Sequence, residues 1–79
     1  MSRPRLNGWH ISRHALQRAI ERRVHPEEIT AALQDPEIRR AGNTPGTEYR
    51  QAGAVAVVCD PTAHRIITVV LANPREGTP

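Results

Sequence analysis

The sequence predicts an α+β domain: two short N-terminal helices packed on a three- to four-stranded antiparallel β-sheet. Three observations lead there. Residues 13–34 are helix-favouring, with apolar positions recurring at three- and four-residue spacing. Residues 54–59 and 65–71 are runs of small apolar and β-branched side chains. Gly, Pro, Asn and Asp gather between these runs, at 42–46 and 60–61, where turns are needed. A chain of 79 residues has room for one such domain. Its expected span is 9–72, with polar tails at 1–8 and 73–79.

In order along the chain, residues 9–12 read as a short extended lead-in, and Ser12 as the N-cap of the first helix. That helix is expected over 13–23, with Ala15, Leu16, Ala19, Ile20 and Val24 as its apolar positions. His25-Pro26-Glu27-Glu28 opens the second, Pro suiting the first turn and the two carboxylates suiting the helix dipole. Ile29, Ala32 and Leu33 form its apolar stripe, and Asp35-Pro36 stops it. Neither helix is long enough to hold its shape alone, so both need a surface. Strands expected at 37–41, 48–52, 54–59 and 65–71 supply it. The last is the strongest, because five of its seven residues are β-branched.

Composition narrows the function classes. The formal charge is +3, all eleven basic residues are Arg, and the only large aromatics are Trp9 and Tyr49. The single Cys59 excludes an internal disulfide framework and any Cys-x-x-Cys motif. No apolar run approaches the ~20 residues of a membrane span, and the first ten residues lack an apolar signal core. The expectation is a soluble cytoplasmic protein with no membrane partner, whose small core leaves room for a homodimer. The charge is uneven: residues 1–25 hold six Arg and one acid, a net +5, whereas the remainder is net −2. A basic first third reads as an anion-facing element.

Within that element, His14, Arg18 and Arg22 fall at i, i+4 and i+8, within about 80° of one another on the helix. They lie opposite Leu16 and Ile20, which are expected to dock. An imidazole moves protons near neutral pH, and guanidinium groups hold phosphate and oppose negative charge building in a transition state. Arg13 is a further candidate RNA contact. Thr68 is a hydroxyl within an apolar strand, either bonded inside the sheet or lining the same cleft as His14. Tyr49-Arg50 on a neighbouring strand adds a phenol or a guanidinium.

The ordered set Ser12-x-His14-Ala15-x-x-Arg18-x-x-x-Arg22-x-Val24-x-Pro26-Glu27-Glu28-Ile29, Leu33-x-Asp35-Pro36, Tyr49-Arg50, Val57-Val58 and Ile67-Thr68-Val69 resembles the small bacterial family named domain of unknown function 4258, over roughly residues 10–71. That family is placed by similarity in the barnase–EndoU–colicin–RelE superfold, whose members are mostly metal-independent ribonucleases acting as toxins. The resemblance implies helices followed by a four-stranded antiparallel sheet. It also implies RNA as substrate, an antitoxin or immunity protein as partner, and no cofactor. By position, His14, Arg18, Arg22 and Thr68 match its helix His, its Arg pair and its last-strand hydroxyl, and Tyr49 matches a commonly aromatic position. Arg23 departs from a usual Gly and Pro26 from a usual polar residue. Both lie in the turn between the helices.

The implied reaction is attack of a ribose 2′-OH on the adjacent phosphorus, leaving a 2′,3′-cyclic phosphate. Two rival classes are a non-catalytic nucleic-acid-binding module and a protein-interaction domain pairing through its sheet edge. The basic helix face has a plain alternative too, a solvated surface on which Glu21 pairs with Arg18 or Arg22. His10, His14, His25, His64 and Cys59 suggest zinc only weakly, since no paired Cys supports them.

Overall fold

The computed structural model describes residues 5, 6 and 8–72. It contains strands β1 (Arg5–Leu6) and β2 (Trp9–Ile11), helices α1 (Arg13–Glu21) and α2 (Pro26–Gln34), and strands β3 (Ile38–Ala41), β4 (Glu48–Ala52), β5 (Val55–Asp60) and β6 (Arg65–Leu71). The α+β class and the helix and strand positions follow the sequence reading. The sheet itself is larger than expected: six strands in the order β1-β2-β6-β5-β4-β3. It is also not purely antiparallel, because β2 runs parallel to β6, pairing His10 with Arg65 and Ile11 with Ile66. Arg5 and Leu6, expected in the leading tail, pair with His10 and Trp9. The rest of both expected tails, residues 1–4, 7 and 73–79, lies outside the described residues.

Both helices cover the same sheet face. Ala15 and Ala19 of α1, Ile29, Ala32 and Leu33 of α2, and Val55, Val57, Cys59, Ile66 and Val69 of the sheet form one buried cluster. Strand alternation then assigns the other face. Ala56, Val58, Thr68 and Val70 point away from the helices, in register with Gln51 and Tyr49 of β4. A type of turn with positive φ at Gly53 closes the β4–β5 hairpin.

The docking face of α1 is rotated from the expected one. Ala15 and Ala19 are buried, whereas Leu16 is 37% and Ile20 69% exposed. Small side chains let the helix axis approach β6 closely, and the bulky pair is left on the flank. The half-buried Arg18 and Arg22 border the docked stripe on its other side. Among the described residues, no helix is long and apolar enough to cross a membrane.

The turn between the helices explains the departure at Arg23. The Val24 amide donates to Ala19 O at 2.8 Å and the Arg23 amide to Ile20 O at 3.1 Å. This is a Schellman ending, and its left-handed residue is Arg23 at φ +55°. Glycine is favoured there because a Cβ costs about 1–2 kcal/mol in that region. Part of this is offset by the greater chain entropy glycine loses, about 0.5–1 kcal/mol. Arg23→Gly is therefore expected to raise stability by several tenths of a kcal/mol, up to about 1, read as a higher urea midpoint with an unchanged slope.

Candidate functional site

The start of α1 is fixed to the last strand by one side chain. The Ser12 amide donates to Ile66 O at 3.1 Å, and its hydroxyl donates to Ile67 O at 2.9 Å while accepting from the Ala15 amide at 3.0 Å. Ile67 is where β6 bulges: Thr68 is opposite Val58 and Ile66 opposite Cys59, leaving Ile67 as the extra residue. Ser12 thus caps the helix, a role worth about 1 kcal/mol, and satisfies the carbonyl of the bulge. Arg13 and His14 follow Ser12 at once in the first turn, both exposed.

Arg18 and Arg22 lie one and two turns farther, about 6 and 12 Å along the axis from His14. Arg18 is engaged by Glu21 at 2.7 Å, so the local-pairing reading holds for this residue. The Arg18 hydrogen bond, followed by one from Gln17, holds the Glu21 carboxyl below its ordinary range. Arg22 adds a further positive charge nearby.

Thr68 does not share a cleft on the helix side with His14. Its neighbour Val69 is buried under the helices, so alternation turns Thr68 to the opposite face. His14 and Thr68 approach β6 from its two sides. Among the described residues, neither their imidazole nor hydroxyl has a side-chain hydrogen-bond partner.

On the open face Thr68 belongs to a cross-strand row, Arg40–Tyr49–Val58–Thr68. Tyr49 stands two strand spacings from Thr68, about 10 Å. Its ring lies under the Arg40 guanidinium at 4.4 Å, and its hydroxyl donates to Gln51 Oε1 at 2.8 Å. A second row on this face aligns Asp60, Arg65 and His10. Sequence reasoning did not place Arg40 or Arg65 at a site, and named His10 only as a weak zinc candidate. The signal available was alternation, since each adjoins a residue that faces the helices.

Arg50, expected as an RNA contact, is engaged in the structure as a clamp between strand and helix. Being next to Tyr49 on a strand, it faces the helices. Its Nη1 donates to Leu33 O near the end of α2 at 2.7 Å, and its Nε to Glu48 Oε1 at 2.5 Å. Its side chain is only 13% exposed, with the guanidinium 5.5 Å from the Trp9 ring centroid. A cation at a helix C-terminus also suits the helix dipole. Trp9 completes this end of the core, its ring 4.9 Å from that of His64. The buried Cys59 thiol has its pKa pushed up by desolvation, which leaves it a poor nucleophile. No three His, Cys, Asp or Glu side chains cluster as metal ligands among the described residues.

Comparison with known families matches residues 11–71 to the family described as "Domain of unknown function (DUF4258)". No curated protein and no solved structure matches the chain.

The clamp makes a pH-dependent contribution. The Arg50 hydrogen bond holds Glu48 below the ordinary glutamate value of 4.5. A carboxyl lowered in the folded state stabilises above its unfolded pKa, and that stabilisation fades as pH falls through the folded value. Arg50→Met is expected to cost about 1–3 kcal/mol, because it leaves the Leu33 carbonyl without its donor and the half-buried Glu48 carboxylate with only the longer Arg39 contact at 3.4 Å. It should also flatten the loss of stability below about pH 4.5. Urea unfolding from pH 3 to 7 checks both.

Proposed function

The chain belongs to the domain of unknown function 4258 family, and on that premise we propose that it is a small ribonuclease-like toxin cleaving RNA by metal-independent transesterification. The observation that carries the reading is the Ser12 joint. It sets a proton carrier (His14) and a fixed cation (Arg13) beside the bulge that presents Thr68. The similarity of the family to the barnase–EndoU–colicin–RelE superfold supplies the reaction class, an associational support.

In this reading the His14 imidazole takes the proton of the ribose 2′-OH as its oxygen attacks the adjacent phosphorus. The bond from phosphorus to the 5′ oxygen breaks, and that oxygen leaves as a hydroxyl with a proton from solvent water, the proton taken by His14 returning to solvent. The strand then ends in a 2′,3′-cyclic phosphate. Arg22, with Arg18 held by Glu21, lines the phosphate path and opposes charge at the pentacovalent phosphorus, and Arg13 contacts the RNA farther along its backbone. On the open face, away from the reacting phosphorus, Thr68 donates a hydrogen bond to a flanking nucleotide, and Tyr49 with Arg40 forms a platform on which an unpaired base stacks. A toxin of this kind also needs a neutralising antitoxin or immunity protein.

A specific observation favours the second reading, a non-catalytic RNA-binding module: His14 and Thr68 lie on opposite sides of β6, and Arg18 is already paired. Incubation with total RNA in EDTA, followed by end-group analysis and a parallel binding titration, separates the two. The nuclease reading expects cyclic-phosphate ends from wild type. It expects a loss of at least about 100-fold in His14→Ala, with affinity changed less than about threefold, and a smaller loss of rate in Thr68→Val. Intact RNA with undiminished binding would establish the module instead.

A further inference from the structure

At Thr68 the sheet comes to an edge. β2 pairs with β6 only at Arg65 and Ile66, because the chain turns away at Ser12 into α1. Among the described residues, no strand therefore lies beside Thr68 on its outer side, and the two faces of the sheet meet there. His14 stands on the helix side of this edge and Thr68 on the open side.

The open face carries an unclaimed cation close by. Arg65 is opposite Asp60 where Thr68 is opposite Val58, which puts it about 7 Å from Thr68 along the strand. It is exposed, and no side chain among the described residues holds it. Asp60, directly across, is the one carboxylate on this face among the described strands. Its Oδ1 accepts instead from the Thr62 and Ala63 amides, at 3.1 and 3.2 Å. In the other direction, two strands from Thr68, the exposed Arg40 guanidinium lies over the Tyr49 ring at 4.4 Å. A guanidinium is planar, so one that rests on an aromatic ring keeps a second face for a base.

We propose that this face is a subsite for an unpaired nucleotide flanking the cleaved bond. Its base stacks on the outer side of the Arg40–Tyr49 pair, a backbone phosphate is held by Arg65, and the RNA reaches it by crossing the β6 edge at Thr68. The inference rests on the reading of the chain as acting on RNA, and it adds the substrate class, RNA that is single-stranded beside the cut. Charge and chemistry select this occupant. An A-form duplex encloses its bases and does not fold round a sheet edge. An unpaired strand supplies both an open base and a phosphate that a single guanidinium can hold.

The test is equilibrium binding of a short 2′-O-methyl RNA, as single strand and as blunt duplex, over a series of salt concentrations. The single strand should bind at least about tenfold more tightly. Arg65→Ser should weaken it and lower the slope of log affinity against log salt by about 0.7, the loss of one phosphate contact, whereas Arg65→Lys keeps the slope. Arg40→Lys, which retains the charge and removes the plane, should weaken the single strand at least about fivefold with the slope unchanged. Both side chains are exposed, so neither change threatens the fold. Equal affinity for the two RNAs, an unchanged slope in Arg65→Ser, or wild-type binding by Arg40→Lys would overturn the subsite. If wild type still produced cyclic-phosphate ends, the nuclease reading would survive that result. Binding as expected without cleavage would keep the subsite and remove the catalysis, and no binding of either RNA would overturn both.

Discussion

The Ser12 hydroxyl, bonded at once to the Ala15 amide and the Ile67 carbonyl, is the contact on which the arrangement of helices, sheet and candidate site depends. A short helix in water is marginal by itself. This one begins where β2 leaves the sheet, and its first turn is locked to a bulge in the neighbouring strand. The bulge provides a carbonyl for the serine, and the serine provides the cap for the helix. Arg13 and His14 inherit their position from this joint, and Ala15 and Ala19 carry the helix down onto β6.

Parallel pairing of β2 with β6 is the second constraint. It uses only two residue pairs, yet it places the first helix over the last strand, a sequence separation of more than fifty residues. The Arg50 clamp does the corresponding work at the other end, tying the end of α2 to β4 through Leu33 O. Between these two ties the core consists of small and β-branched side chains, consistent with a chain that has two large aromatics and no Phe. Close approach replaces bulk as the source of packing.

Much of the fold was legible because it is written in local patterns. The β-branched run of β6, the hairpin glycine at 53 and the Asp35-Pro36 stop each act within a few residues. The three-residue strand β2 was not legible as sheet, since its partner lies far along the chain and no periodicity shows in so short a segment. The face of α1 was misread for a related reason. Hydrophobicity ranks Leu16 and Ile20 above Ala15 and Ala19, but a helix lying close to a strand needs the small pair inward. The α1 candidates for the site rest on their spacing along one ridge. The separation of Tyr49 from Arg50 follows from strand alternation: adjacent residues face opposite sides, so the two cannot serve one surface.

The central claim is that RNA engages the region held together by Ser12, with His14 and Thr68 addressing it from the two sides of β6. The most direct measurement is a ¹⁵N chemical-shift titration of the wild-type protein with a short RNA made uncleavable by 2′-O-methyl substitution. The account predicts that the largest shifts fall on the amides of Arg13, His14, Ile67 and Thr68, with smaller ones at Arg40 and Tyr49. Shifts confined to the flank beside Leu16 and Ile20, or none at all at millimolar RNA, would contradict it.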